Sequence, residues 1–304
     1  MKNAVLYLTT VLIWGSTWLA IEFQLGEVNE VVSLFYRFSI AAACMWAFVV
    51  VKKLPMRFSL VDHGYFMLLA LGNFGLNYLF LYWAQGYLTS AMASIAFSLL
   101  LVFNILNTKL FFKKPIAKRI YFGAGIGVLG IVSLFWHDLK TFDLENGALV
   151  GLLLALVGTV CASLGNMVSV RNSNAQIGVL QGNAWGMLYS GLLLGLYVLI
   201  SGESFVVHAQ SSYWLSLGYL AIFGTVIAFA CYFHLLKGIG PEKASYVIVL
   251  FPFVAVTLST LFEGFEWQSH TFLGFSLVLI GNALVLTPIE RIKAHFHPLS
   301  PVAR

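Results

Sequence analysis

The chain has 304 residues, of which 60% are hydrophobic and only 10% are charged, and its formal net charge is +5. A soluble domain carries about 25% charged residues, so this composition excludes a single water-soluble core. The apolar residues come in runs of about 20, the length of helix that crosses a ~30 Å hydrocarbon layer. The sequence therefore predicts an all-α polytopic membrane protein.

Ten apolar runs divide the chain, and each is long enough to form a transmembrane helix. They cover roughly residues 4–22, 31–51, 64–84, 89–111, 118–136, 147–168, 177–200, 213–236, 244–262 and 270–287. The connections between them are short and leave no room for a soluble domain. No small-residue cleavage site follows the first run, so we interpret it as a retained helix and not as a removed signal peptide.

Polar and aromatic side chains near the middle of the first, third, fourth and seventh spans are candidates for a substrate site. They are Trp14, Ser16, Thr17, Asn73, Asn77, Tyr78, Tyr82, Ser94, Ser98, Asn104, Trp185 and Tyr189. Trp usually lies at the membrane interface, so a Trp at mid-membrane favours cavity lining. The asparagines either line the pore or form interhelical hydrogen bonds worth ~0.6 kcal/mol each, and the tyrosines either line it or pack.

Arg37 is the only charged residue in the second span, residues 31–51. It lies ~9 Å below the outer end of that span. An arginine at the centre of a membrane helix costs about 2.5–3.5 kcal/mol on insertion scales, so such a residue needs a wet or charged neighbourhood. We expect it to face a cavity, where it binds an anionic substrate group or holds a gate. The alternatives are a side chain that reaches the outer headgroups, or a structural pair with Glu22.

Several other patterns resemble functional motifs but have simpler explanations. The GxGxxG match at 125–130 lies inside an apolar span and not between a strand and a helix, so Gly123 and Gly127 are better interpreted as a close-packing face. The cysteines stand at neither disulfide nor zinc spacing; they are Cys44, Cys161 and Cys231. No catalytic constellation is recognisable. We therefore predict no enzyme activity, no cofactor and no metal.

The basic residues predict the orientation of the spans. With the N-terminus in the cytoplasm, 15 of the 17 Lys and Arg residues fall on the inner side, and the outer side receives only Lys140. Most acidic residues, including Glu22 and Glu263, fall on the outer side. Both termini are then cytoplasmic. The basic residues determine topology and contact headgroups, so the expected partners are membrane lipids and not nucleic acid.

The second half of the chain repeats the first at a constant offset of 151 residues. The segment "ASIAFSLLLVFNILNTKLFF" from position 93 aligns without a gap to "ASYVIVLFPFVAVTLSTLFE" from position 244. Further along, Gly123 aligns with Gly274, and Gly130 aligns with Gly281. Each half holds five spans, an odd number, so the halves enter the membrane in opposite senses. The sequence thus predicts ten transmembrane helices as two inverted five-helix repeats. The predicted units are residues 1–145, residues 146–290 and a cytoplasmic tail, residues 291–304.

Several segments resemble the EamA family of the drug/metabolite transporter superfamily. "WGSTWLAIEF" in the first span and "YRFSIAA" in the second resemble its opening, while "YWAQGYLTSAMAS" and "YFHLLKGIGPEKASYVIVLFPF" resemble its repeated motif. The resemblance implies ten helices around a central cavity, no ATP hydrolysis, and commonly the export of metabolites or amino acids. The chain departs from the family pattern, which often has Pro in both repeats, because the second repeat has Pro252 where the first has Leu101. We expect Pro252 to kink the ninth helix and act as a hinge.

These observations favour a secondary transporter, an exporter or exchanger of small metabolites such as amino acids that works by alternating access. A bacterial inner membrane is the expected location. No carboxylate lies at mid-membrane, which favours passive exchange over proton antiport. The sequence specifies no oligomeric state. Two alternatives stay open: a flippase for a lipid or lipid-linked headgroup, and a non-transporting membrane scaffold.

Overall fold

The apolar runs form long helices in the structure, a computed structural model that describes residues 2–26, 28–113, 115–136, 147–206, 210–244 and 246–287. The helices are α1 (Lys2–Glu22), α2 (Glu30–Val51), α3 (Leu60–Gln85), α4 (Ser90–Phe112), α5 (Lys118–Leu134), α6 (Gly147–Asn174), α7 (Val179–Ser201), α8 (211–244), α9 (Tyr246–Phe262) and α10 (Ser269–Leu286). None of the described residues forms a β-strand. The predicted junction at residues 145 and 146 and the predicted tail, 291–304, lie outside the described residues.

Among the described residues, eight helices are long and apolar enough to cross a bilayer. The two others, α5 and α9, have 17 residues each, the short end of the range for a transmembrane helix. The prediction of an all-α polytopic membrane protein is confirmed. We call the helix ends near Lys52, Lys109 and Arg171 the basic side, and those near Glu22 and Glu263 the acidic side.

Polar caps set the ends of α2 and α3, the helices that carry the central arginine and its neighbours. Asn29 accepts a hydrogen bond from the backbone N–H of Val31 through its side chain at 2.9 Å, which starts α2. Ser59 and Asp62 form a reciprocal capping box at the start of α3. These caps place Arg37 about two turns inside α2 from the acidic side.

The main departure from the predicted spans lies between the eighth and the ninth. The eighth apolar run ends near residue 236, but α8 continues as helix to Ala244. A helix satisfies its own backbone N–H and C=O groups, so continuing it past the apolar run costs less than opening a loop beside the bilayer. The predicted loop at 237–243 is therefore helical.

Helix boundaries in the two halves recur at the offset found in the sequence. α3 and α8 begin 151 residues apart, at Leu60 and Ser211, and α5 and α10 do the same, at Lys118 and Ser269. Both α3 and α8 contain a π-helical segment, Ala70–Leu76 and Tyr219–Ile227, and the two segments end 151 residues apart. A π-helical turn inside an α-helix is uncommon and is frequent at functional sites.

Close glycine contacts join α5 to α10 in antiparallel orientation. A Cβ added at Gly123 would lie 2.7 Å from the carbonyl oxygen of Gly281, and one at Gly130 would lie 2.7 Å from that of Gly274. The offset of 151 turns one pair into the other, which is the pattern of a two-fold contact between like surfaces. The predicted close-packing role of Gly123 and Gly127 is confirmed, since an added Cβ at Gly281 would also meet the Gly127 nitrogen at 2.6 Å.

The helices of the two halves interleave. α1 packs against α8 and α9 of the other half, and α6 packs reciprocally against α3 and α4. α2 packs against its counterpart α7. Each half therefore completes its packing only with the other.

One interruption divides α4 into α4a (Ser90–Phe97) and α4b (Leu100–Phe112). There the Leu99 and Leu101 nitrogens bond to the carbonyls of Ala96 and Ser98, at 3.2 and 3.4 Å, in the tighter i to i+3 pattern. In contrast, α9 continues as one helix through Pro252. The helix with the proline is the uninterrupted one.

Candidate substrate-binding site

Arg37 is buried in the helix bundle, with 1% of its surface exposed. Its Nη1 donates a hydrogen bond to the Tyr82 hydroxyl at 3.3 Å, and its guanidinium carbon lies 4.4 Å from the centre of the Tyr78 ring. The side chain therefore does not reach outward to the headgroups. The alternative partner Glu22 is not used either, because the single ion pair among the described residues joins Arg171 to Asp62.

Gln24 completes what we call the arginine cluster, made of Gln24, Arg37, Tyr78 and Tyr82. The Tyr82 hydroxyl donates to the Gln24 side-chain oxygen at 2.8 Å. The Nε of Arg37 and the Nε2 of Gln24 are buried and have no hydrogen-bond partner. Two buried donors without partners, one of them on a charged group, favour the binding of an anionic acceptor at this place. Sequence reasoning missed Gln24, which lies in the turn after α1 and not within a span.

The asparagine ladder, Asn73, Asn166 and Asn104, forms a second polar group. The Asn73 amide donates to the Asn166 oxygen at 3.1 Å, and the Asn166 amide donates to the Asn104 oxygen at 3.2 Å. The ladder joins α3, α6 and α4. This geometry favours the role of interhelical hydrogen bonding for Asn73 and Asn104. Asn166 has no charge or repeat match to mark it, and sequence reasoning missed it.

Asn77 lies one turn beyond Asn73, at the start of the α-helical segment that follows the π-helical turn of α3. Its amide is 3.5 Å from the Asn73 carbonyl oxygen, and its own Oδ1 is buried without a partner. A buried acceptor without a donor is costly. Asn77 thus retains hydrogen-bonding capacity for a ligand, whereas Asn73 is engaged in the ladder.

Trp185 and Tyr189 belong to an aromatic cluster nearer the basic side, away from the contacts of Arg37. The Tyr189 hydroxyl and His63 Nδ1 are 2.7 Å apart. The Trp185 ring lies 4.8 Å from Trp46 and is stacked 6.3 Å from Phe66. The Trp185 Nε1 is buried and has no partner. Sequence reasoning placed these two residues in one site with Arg37, and the contacts place them in a separate group.

Residues of α1 contact the second half of the chain. The Trp14 ring lies 5.4 Å from that of Phe229 and 5.0 Å from that of Tyr232. The Ser16 hydroxyl is 2.6 Å from the Tyr219 hydroxyl, in the π-helical segment of α8. Thr17 bonds back to the carbonyl of Trp14 at 2.7 Å.

Ser94 and Ser98 lie in the buried part of α4. Each hydroxyl donates to a carbonyl three residues earlier, Ala91 at 2.8 Å and Ile95 at 2.6 Å. Such bonds satisfy the hydroxyl locally and leave it little capacity for a ligand. These two serines therefore serve the packing of α4 in this conformation.

Two grooves lie on the outer surface of the bundle. One of about 360 Å³ runs between α1 and α8, with Ser16 and Tyr219 in its lining, and one of about 390 Å³ runs between α2 and α7. Arg37 lines neither groove. The arginine cluster is thus closed to both grooves in this conformation.

On the acidic side, a polar contact joins the end of α9 to the start of α4a. Glu263 accepts hydrogen bonds from the backbone N–H and the hydroxyl of Ser90, at 3.1 and 2.7 Å, and also contacts the Ser259 hydroxyl. The carboxylate sits at the N-terminus of α4a, where backbone N–H groups favour a negative charge. This contact ties the two halves together at one end of the bundle.

These features define a helical integral membrane protein with buried polar groups between its helices. The model of the EamA-like transporter family matches residues 1–136 and 149–287, and the chain belongs to this family. The resemblance noted in the sequence is confirmed. The family indicates a transporter and not an enzyme.

Relatives match over nearly their full length. The chain is 27% identical over 292 residues to the "Uncharacterized inner membrane transporter YedA" of Escherichia coli K12, covering 93% of this chain and 92% of that protein. It is 23% identical over 293 residues to "Protein PagO" of Salmonella typhimurium, covering 93% and 92%. A solved crystal structure with 19% identity matches with a TM-score of 0.67 and covers 93% of this chain and 96% of that one, which supports the fold. The chain is an integral membrane protein of this transporter family.

Proposed function

We propose that this protein is a secondary carrier that moves a small metabolite with a carboxylate, such as an amino acid, by alternating access, as an exporter or exchanger. In this proposal Arg37 binds the carboxylate of the cargo. The observation that carries the proposal is a buried guanidinium without an acidic partner among the described residues. The transporter class of the family supports the coarser part of the assignment.

The charge of Arg37 is the main physical argument. Removing a cation from water costs several kcal/mol unless an opposite charge and full hydrogen bonding compensate it. Here the neighbours are the neutral Tyr82 hydroxyl and the Tyr78 ring. A desolvated cation–π contact supplies about 2 kcal/mol or somewhat more, and it provides no negative charge. A carboxylate from the cargo would provide the missing negative charge and accept the free Nε–H.

Gln24 supports a carboxylate as the recognised group. Its free Nε2 is connected to Arg37 through the Tyr82 hydroxyl, so two unsatisfied donors belong to one hydrogen-bonded cluster. A carboxylate presents two oxygens and can accept from several donors at once. A single polar hydroxyl on the cargo would satisfy the cluster less completely and would leave the charge unpaired.

Alternating access explains why the cluster is sealed here. A carrier of this kind exposes its site to one side at a time. In this proposal the Glu263–Ser90 contact closes the acidic side, and Tyr82 and Gln24 separate Arg37 from that end. By the positive-inside rule the basic side faces the cytoplasm, so both termini would be cytoplasmic and the closed side would face outward.

Counterflow in proteoliposomes tests the proposal. Vesicles are loaded with a panel of unlabelled amino acids and, in parallel, with the amino alcohols that lack only the carboxylate; uptake of labelled amino acid is then measured without an ion gradient. We expect the amino acids alone to support exchange. Loss of a charge-assisted contact of about 2–3 kcal/mol predicts that Arg37→Ala lowers exchange by about 30- to 150-fold.

Arg57→Ala is the matched control, because Arg57 is an exposed arginine outside the helices. It should exchange at the parental rate. Equal exchange of amino acids and amino alcohols, or full activity of folded Arg37→Ala protein, would overturn the role of Arg37. Silence of the whole panel with folded parental protein would overturn the choice of amino acids as cargo.

A further inference from the structure

The interruption in α4 and the proline in α9 occupy equivalent regions of the two halves. The offset of 151 takes the interruption at Ser98–Leu99 to positions 249 and 250, and it takes Leu101 to Pro252. We propose that the interruption passes from α4 to α9 when the carrier changes the side to which it opens. This inference rests on the alternating-access function proposed above and adds the moving parts to it.

α9 is already weakened at the required place. Pro252 has no backbone N–H, so α9 lacks the hydrogen bond to the carbonyl of Ile248, one turn earlier. Proline within a helix is the commonest cause of a kink. The gap in the hydrogen-bond ladder spans positions 249 and 250, the equivalents of the α4 interruption. α9 is continuous in this conformation, but it has a preformed position at which to open.

α4 can make the opposite change. No proline lies in its stretch from Ser90 to Phe112, so every residue there has a backbone N–H. The interruption is a turn with i to i+3 hydrogen bonds, and it becomes ordinary helix by exchanging these for i to i+4 bonds. The interruption in α4 is therefore reversible, because no residue forces it.

Packing shows which contacts such an exchange would break. α9 packs closely on α4a: Glu263 binds Ser90 on the acidic side, and Phe97 lies 6.4 Å from Phe251 deeper in the membrane. α4b packs on α6 through the pair Asn104–Asn166, and α4a contacts α6 as well. Breaking α9 near position 250 and straightening α4 would separate α9 from α4a and open the acidic side.

Thiol labelling tests this without any cargo. Ser94 lies one turn below Ser90 on α4a and is fully buried. A protein with Ser94→Cys is prepared in a background in which Cys44, Cys161 and Cys231 are replaced by alanine. A membrane-impermeant thiol reagent is added from the acidic side in oriented vesicles. We expect slow labelling, which reports the fraction of time for which the acidic side is open.

Pro252→Ala restores the missing N–H and stabilises the continuous α9. A net gain of about 1 kcal/mol for one hydrogen bond predicts labelling about fivefold slower. The matched control is Phe253→Leu, the next residue on the same helix, which is 45% exposed. The control should be labelled at the parental rate.

Labelling of Pro252→Ala protein at the parental rate would overturn the proposed transfer of the interruption from α4 to α9. Complete absence of labelling in the parental protein would overturn it as well. Equal slowing by Phe253→Leu would overturn it too, since the effect would then not depend on the missing N–H. The expected labelling pattern together with failed amino acid counterflow would refute the cargo assignment but not the proposed transfer of the interruption from α4 to α9.

Discussion

The Tyr82 hydroxyl lies 3.3 Å from the Arg37 Nη1 and accepts its hydrogen bond, deep between α2 and α3. The same hydroxyl donates its proton to Gln24 at 2.8 Å. One phenol thus orients both side chains that carry an unsatisfied donor, Arg37 and Gln24. Changes at these positions should affect cargo recognition more than the stability of the fold.

Tyr82→Phe removes only the hydroxyl. We expect lower exchange, because Arg37 and Gln24 lose the group that orients them, and a loss of about 1–3 kcal/mol in unfolding free energy, because two buried partners become unsatisfied. Counterflow and thermal unfolding in detergent measure the two effects. Tyr197→Phe is the control, since Tyr197 is 55% exposed on α7. Unchanged exchange in Tyr82→Phe protein would contradict the orienting role.

Gln24→Glu places a carboxylate where the structure now holds an amide connected to Arg37. We expect this side chain to compensate the guanidinium from within the protein and to compete with the carboxylate of the cargo. Exchange of amino acids should fall, while the melting temperature stays equal or rises. Gln24→Leu separates charge from volume, since it removes the amide without adding a charge. Parental exchange rates for Gln24→Glu would argue against an anion site in this cluster.

Gly281→Val should disrupt the contact between α5 and α10. A Cβ at this position would lie 2.6 Å from the carbonyl oxygen of Gly123 and from the nitrogen of Gly127, and neither backbone can move away easily. Overpacking of this kind typically costs about 1–3 kcal/mol. The fraction of monodisperse protein after extraction and its melting temperature measure the loss. Gly125→Ala is the control, because an added Cβ there meets no atom within 4 Å; equal behaviour of the two variants would refute the close contact.

Asn166→Leu removes the middle of the asparagine ladder. Interhelical hydrogen bonds in membranes contribute about 0.6 kcal/mol on average and up to about 1.7 kcal/mol. We expect a loss in this range and unchanged discrimination between amino acids and amino alcohols, because Arg37 is outside the ladder. A double-mutant cycle with Asn104→Leu should give a coupling energy of similar size. Additive losses would show that the 3.2 Å contact contributes nothing.

Much of the fold follows from the sequence because hydrocarbon imposes simple rules. Runs of about 20 apolar residues must form helices, since a helix alone satisfies its backbone groups within one segment. The prediction of a connection at 237–243 was wrong for the same reason. A helix satisfies its own backbone groups, so polar residues alone do not end it. The close approach at Gly123 was foreseeable from small residues spaced four apart.

The site was less predictable because it depends on how helices turn toward one another. Arg37 was identified as a lone charge, and its burial agrees with a cost that must be compensated. Gln24 and Asn166 gave no comparable signal, since a neutral amide becomes informative only when its neighbours are known. Trp185 was grouped with Arg37 on depth alone, and depth along a helix does not specify which neighbour its ring contacts.

The asparagine ladder joins α3 and α4 of the first half to α6 of the second, and the equivalent interface between α8, α9 and α1 has no asparagine at the matching positions. At the offset of 151, Asn73 corresponds to Gly224, Asn104 to Ala255, and Asn166 to Gly15. Two identical halves would give a carrier whose inward and outward forms are related by symmetry and equal in free energy. Here one interface has hydrogen bonds that its counterpart lacks, so the two forms have unequal energies. The binding site of an empty carrier of the proposed kind would therefore face one side of the membrane most of the time. The difference between the two halves determines which side that is.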